Sequence, residues 1–349
     1  MALLFIDSFD HYQNQEIFLK WTGGWAGAAA IDPGKGRCGT QALVVQSLGP
    51  TLRGMVFTGN TFICGYAFKQ DSQWSLGGAP MLGIDALAGS HGQLSRNTDG
   101  SVSYQIGVID SSGTSLSVES VPNVLHDDTW YYIEWKVVFS TTAGTCVVRV
   151  DGLEVINYSG PTVGFGAAGP VYAPYPLPPR QLRVQGQSNT KYWIDDLYVL
   201  DGTGPAPWNA FLGDCHVEYL RPRAAGASQD WTPVGTGTHW VAVDDNDTPD
   251  EDATYVESNT PGQIDTNKYQ PTGLPTSPLF GAQLSLYARK SDIGPRVIAP
   301  VANGVVGAMV APSFENYQYF CTPYPVNPAD GNPWTPASIN ASEFGVKAL

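Results

Sequence analysis

Charge is scarce in this chain. Of its 349 residues only 14% are Asp, Glu, Lys or Arg, against roughly 25% in an ordinary soluble domain. Basic residues are scarcer still: 18 Lys and Arg face 32 Asp and Glu, for a formal net charge of −14. The basic residues form no block, and a phosphate backbone needs clustered positive charge, so nucleic acid is excluded as a partner. Long apolar runs are missing as well. The most hydrophobic stretch, Val297 to Pro312, is broken by Pro300, Asn303, Gly304 and Gly307 and falls short of the roughly 18 residues that a spanning helix requires. No membrane partner is expected.

The opening MALLFIDSFDHY lacks a basic segment and acquires Asp7 and Asp10 early, unlike a signal peptide. The expectation is a soluble protein made in the cytoplasm without a cleaved signal. The sequons at Asn157, Asn246 and Asn340 then read as chance matches. Five cysteines, Cys38, Cys64, Cys146, Cys215 and Cys321, lie far apart with no CxxC pair, which argues against a zinc ribbon or a dithiol redox site. Their odd number excludes complete internal pairing. Mostly buried or free thiols are expected, with a disulfide between subunits as the alternative.

What the chain has in abundance is Gly (39) and Pro (27), together with 42% apolar and 11% aromatic residues. The first two exclude long helical bundles; the last two exclude wholesale disorder. Alternating apolar and polar residues recur every ten to fifteen positions, bounded by turn formers, as in sandwiches and barrels. Expected strands are Leu3–Phe9, Gln41–Gln46, Thr61–Phe68, Met81–Ala86, Ser101–Ile109, Trp130–Ser140, Thr145–Val150, Leu153–Tyr158 and Lys191–Leu200. Asp151-Gly152 between two of these runs is a two-residue hairpin signal, because both central positions favour positive φ. Gly160 to Pro179 reads as a Pro/Gly/Ala-rich loop without strands, lying against the sandwich or a neighbouring subunit, with ligand stacking by its tyrosines and prolines as the alternative.

Gly-Thr-Gly-Pro-Ala-Pro at 202–207 has a linker's composition. The expected organisation is therefore one β-sandwich over 1–203, a linker at 201–210, and a second β-sandwich over 211–349. Strands of the second part are expected at Cys215–Leu220, His239–Val243, Gly281–Arg289, Arg296–Val301, Val305–Val310 and Tyr317–Thr322. One short helix is expected near the C-terminus, Pro336–Ser342, with Thr335 as N-cap and Pro336 in the first turn. Phe344–Ala348 follows as a closing strand. The fold class is all-β: two jelly-roll sandwiches in tandem.

Nine acidic residues, and no Lys or Arg, lie between Ala224 and Asn267. Within that stretch Asp244, Asp245, Asp247, Asp250 and Asp252 are the calcium candidates, since calcium takes several carboxylate oxygens on a flexible loop. The segment is not an EF-hand, lacking the Gly and the closing Glu of that loop. Its alternative reading is a solvated acidic turn, and no other cofactor is indicated. A glycosidase needs two carboxylates facing one cleft; Glu134 is instead followed on the same strand face by Lys136. Asp195 and Asp196 are adjacent, so on a regular strand their side chains point to opposite faces and do not cooperate. The five histidines have no metal-binding spacing, and no Ser sits in a Gly-x-Ser-x-Gly elbow. No catalytic residue is assigned.

Three segments carry a family likeness: Phe5-Ile-Asp-Ser-Phe-Asp-His-Tyr12, the Trp130-Tyr-Tyr-Ile-Glu-Trp-Lys136 meander with its Val150-Asp-Gly152 hairpin, and Trp193-Ile-Asp-Asp-Leu-Tyr-Val-Leu200. Together they resemble the concanavalin A-like (laminin-G-like) jelly roll, in the form found in structural proteins of tailed bacteriophages. Phe211–Pro222, Asp252–Thr260 and Trp334–Val346 extend the resemblance through the second part. It implies a non-enzymatic virion component on capsid, neck or tail, acting as an adhesion or docking module. Its partners would be other virion proteins and further copies of itself, a trimer among the forms considered. A host-glycan-binding lectin module and a polysaccharide depolymerase are the alternatives.

Overall fold

The computed structural model describes all residues except 1, 22–28, 47–50, 75–77, 87–88, 109–110, 169–170, 175–178, 246–247 and 275–277. It is all-β, with two short α-helices at Ile17–Lys20 and Pro336–Asn340. Among the described residues no helix is long and apolar enough to cross a membrane. The chain divides into two compact units, one formed by Met1–Asp10 with Trp21–Val217, the other by His11–Lys20 with Glu218–Leu349.

The first unit is a sandwich of two antiparallel sheets. The larger runs Leu153–Gly160, Gly144–Val150, Tyr131–Val138, Thr61–Gln70, Lys191–Leu200, Gln41–Gln46, Ala29–Pro33, with Leu3–Asp7 also paired to Lys191–Leu200. The smaller has six strands in the order Thr51–Phe57, Arg180–Gln185, Ala79–Ala86, Gly89–Arg96, Val102–Val108, Ser115–Glu119. Strand alternation builds the core. Trp135 from the larger sheet packs edge-on to Phe62 beside it and to Tyr104 from the six-stranded sheet, with ring centroids 5.6 and 6.0 Å away. Ile84, Leu94 and Leu182 are fully buried with them. Each such aromatic or aliphatic side chain contributes about 1.5–3 kcal/mol by leaving water.

The hairpin at Asp151-Gly152 forms as its dipeptide requires, with φ of 48° and 79° and Val150 paired to Leu153. Other segments depart from expectation. Phe165–Ala168 pairs with Val171–Pro174 as a two-stranded ribbon inside the region expected to be strandless; proline is tolerated there because a ribbon's outer edge needs no donor. The expected strand Cys215–Leu220 is absent. Neither 201–210 nor the residues after it form a free linker in the first unit: residues 208–217 lie on the outer face of the larger sheet. Trp208 is buried, Lys136 Nζ donates to the Asn209 carbonyl, and Arg149 sits over the Phe211 ring at 4.7 Å.

In the second unit a five-stranded sheet runs Pro222–Gln229, Ile264–Tyr269, Glu343–Ala348, Ile298–Ala302, Val305–Val306, accompanied by the ribbons Thr232–Val234/Tyr255–Glu257 and Ala282–Ala288/Gln318–Tyr324. Leu284, Ala302, Tyr324, Trp334 and Phe344 form its core, and Trp334 Nε1 donates to the Tyr324 carbonyl at 2.8 Å. The expected helix is present over Pro336–Asn340, with the Thr335 hydroxyl accepting from Ser338 N in a capping box. His239–Val243, expected as a strand, is a 3₁₀ turn at Trp240–Val243. There the Ala242 amide turns back to Thr238 and His239, and His239 Nδ1 is bound to the buried Asp265 carboxylate.

Candidate functional site

Only one face of the six-stranded sheet is used by the core. Its other face carries polar side chains aligned by register. One row runs across five strands through directly opposed residues: Arg183, Gly83, Gln93, Gln105 and Ser117. A second row joins Gln181, Asp85 and Ser90, and a third joins Pro80, Ser95, Ser103 and Glu119. Period-two alternation puts Leu182 and Val184 inward between Gln181, Arg183 and Gln185, and Tyr104 inward between Ser103 and Gln105.

These side chains are bonded to one another. Arg183 Nη1 lies 3.1 Å from Asp85 Oδ1, and Nη2 donates to Gln93 Oε1 at 2.8 Å. Gln93 Nε2 continues to Ser95 Oγ at 3.0 Å, while Gln105 Nε2 reaches Ser103 Oγ at 3.3 Å. Gly83 makes the Arg183 geometry feasible: a Cβ there would come within 2.7 Å of Arg183 Nε and Nη2. With only hydrogen at that position, the guanidinium lies across the neighbouring strand and reaches the next one. Among the described residues of these rows there is no His, Tyr or Lys. Their amides and hydroxyls can both donate and accept hydrogen bonds, and the guanidinium donates.

A second polar cluster lies on the larger sheet and corrects the expectation for Asp195 and Asp196. The ladder to Thr61–Gln70 shifts register between Asp195 and Tyr198, and Asp196 takes φ 51°. Alternation therefore fails at this bulge, and both carboxylates turn to Arg37. Asp195 Oδ2 accepts from the Arg37 amide at 2.8 Å, and Asp196 Oδ2 lies 3.6 Å from Arg37 Nη1. Asp196 Oδ1 also accepts from the Val217 amide and contacts His216 Nδ1, at 2.8 and 2.9 Å. Burial, then the neighbouring Asp196 charge, pushes the Asp195 carboxyl up; burial pushes Asp10 up to about 6. Glu134 is buried beside them, accepting from Tyr198 Oη at 2.9 Å and the Gly213 amide at 2.8 Å. These carboxylates hold backbone in place and are spent on that work.

Of the five acidic residues singled out for calcium, the four that are described, Asp244, Asp245, Asp250 and Asp252, do not form a metal-holding group. Asp250 accepts from the amide and hydroxyl of Thr254, the Asx arrangement that closes a turn. Asp252 binds Arg289 and the Tyr317 hydroxyl. Asp245, near Asp244 and Asp250, is pushed up to about 6, chiefly by burial. Asp247 and the sequon residue Asn246 lie outside the described residues. Among the described residues no group of three His, Cys, Asp or Glu is arranged to hold a metal ion. All five cysteines are free thiols in this chain, Cys64 and Cys146 buried.

Sequence reasoning missed the polar rows. The alternation in Arg-Gln-Leu-Arg-Val-Gln, 180–185, was their visible signal, but no local pattern says that Arg183 stands beside Gly83 and Gln93.

No family model and no curated protein matches this chain. Solved structures do, over about half of it. A cellulose-induced protein matches at 14% identity and TM-score 0.39, covering 56% of this chain and 96% of its own. An alginate lyase from a Chlorella virus matches at 12% identity and TM-score 0.38, covering 54% and 95%. An alginate lyase from Klebsiella pneumoniae matches at 12% and 0.34, covering 51% and 84%. The likeness is one of fold, a β-sandwich. The expectation of a non-enzymatic bacteriophage structural protein finds no support here: the solved structures matched are mostly alginate lyases, and at such identities and TM-scores they speak for the fold alone.

Proposed function

We propose that this chain acts on a polysaccharide, with the sugar chain lying across the six-stranded face of the first unit. The observation that carries this reading is the in-register row from Arg183 through Gln93 and Gln105 to Ser117. Five strands at a spacing of about 4.8 Å make a track roughly 19 Å long. That spacing is close to the advance of one sugar ring along an extended chain, so successive rings meet equivalent polar groups. Amides and hydroxyls both donate and accept, as sugar hydroxyls do.

The test is incubation of the purified protein with a panel of neutral and acidic polysaccharides, followed by product analysis. New reducing ends without ultraviolet absorbance indicate hydrolysis; absorbing, unsaturated ends indicate elimination. An Arg183→Gln variant should lose most of the activity, with a thermal melt to measure the separate cost of breaking its ion pair with Asp85. Absence of both products and binding across the panel would sink the proposal.

A further inference from the structure

We infer that the sugar chain read by this face is uncharged, and that Gly83 is the positioning residue that sets the reading group. The inference rests on the proposed polysaccharide function and narrows its substrate class.

The argument begins with charge. Among the described side chains the three rows carry one arginine, Arg183, and two carboxylates, Asp85 and Glu119, a balance of one negative charge. Arg183 is also compensated locally, 3.1 Å from Asp85, with only 14% and 13% of the two side chains left to solvent. An acidic sugar entering here would bring its carboxylate against Asp85 as well as Arg183. Like charges at such range oppose each other, and the chain's net charge of −14 adds a repulsive background.

The hydrogen-bonding groups agree with this. A carboxylate only accepts, so it could use the donors of Arg183 but has no hydrogen to offer the Asp85 acceptor. A hydroxyl donates and accepts at once. Around Arg183 the groups alternate: guanidinium donors, the Asp85 acceptor, and then the Gln93 amide and Ser95 hydroxyl, which do both. Paired ring hydroxyls match that alternation without a net charge on the ligand.

Gly83 determines whether the alternation exists. A methyl at 83 would sit 2.7 Å from two guanidinium nitrogens and 3.1 Å from Cζ. These atoms are the far end of a flexible side chain, so the fold accommodates the methyl and the guanidinium moves off Asp85 and Gln93. Gly83 thus acts through Arg183 and does not itself touch ligand.

The experiment measures binding of wild type, Gly83→Ala and Arg183→Lys to a neutral glucan, a neutral mannan and a polyuronate, at low and high salt. Wild type should bind a neutral chain with an affinity nearly independent of salt. Gly83→Ala should lose at least about tenfold, the scale of a charged hydrogen bond, while its thermal midpoint stays near wild type; Arg183→Lys should lose as much. A salt-sensitive preference for the polyuronate overturns the inference and leaves the polysaccharide function standing. Undiminished neutral binding by Gly83→Ala overturns the role of Gly83. No binding to any chain overturns both the inference and the function on which it rests.

Discussion

Asp195 and Asp196, consecutive on one strand, both direct their carboxylates to Arg37. A regular strand forbids this arrangement, and the positive φ of Asp196 permits it. Three segments distant in sequence, the turn at Arg37, the Lys191–Leu200 strand and the His216-Val217 end of the first unit, are joined through these two side chains.

Asp196→Ala should therefore be among the most destabilising single changes in the first unit. It removes the acceptor for Val217 and the partner of His216 and Arg37. Breaking a buried charged set by deleting one member costs about 3–5 kcal/mol. Denaturant unfolding followed by tryptophan fluorescence measures the loss, and a change under about 1 kcal/mol would contradict the assignment.

Stability should fall as pH rises from about 4 toward neutrality. Asp10 is raised from 3.8 to about 6, and Asp195 is also raised, in both cases chiefly by burial. Between the unfolded and folded values the native state holds protons that the unfolded chain has released, so the slope of unfolding free energy with pH is negative there. Asp195→Asn should flatten that slope in thermal melts taken across this range. Equal slopes in variant and wild type would refute the linkage.

Removing the carboxylate of Glu134 should loosen the strap at 208–217. Glu134 accepts from the Gly213 amide and from Tyr198, whose hydroxyl in turn accepts from the Leu212 amide. In Glu134→Ala the strap loses these fixings, and limited proteolysis should cut near Phe211 several-fold faster than in wild type. An unchanged cleavage pattern would show that Trp208 and Phe211 hold the strap by packing alone.

Gly65→Ala should be poorly tolerated for a purely steric reason. A Cβ at 65 would lie 2.2 Å from Tyr198 Cε1 and 2.9 Å from Tyr132 Cε1, and both tyrosines are buried. Overpacking of this kind costs about 1–3 kcal/mol or more. Wild-type thermal stability in this variant would mean that the two rings have room to shift.

Much of the fold was legible locally. Lys191–Leu200 and Gln41–Gln46 form over the residues expected, because alternation and β-branched content are properties of a short window. Asp151-Gly152 and the Thr335 cap were legible for the same reason: each depends on the conformational preference of one or two residues. Cys215–Leu220 was misread because its apolar alternation resembles a strand's, whereas amides of the 212–217 segment are satisfied by Glu134, Tyr198 and Asp196.

By itself, the sequence determined an all-β chain with little charge and many turns. Those properties follow from composition and from preferences that act within a few residues. Only the tertiary structure decided that Arg183, Gly83, Asp85 and Gln93 stand together and that Asp195 and Asp196 converge. Strand order and register join residues far apart in the chain, Leu3 with Leu200 among them, and a single bulge reverses the face on which a side chain lies. No local pattern encodes either.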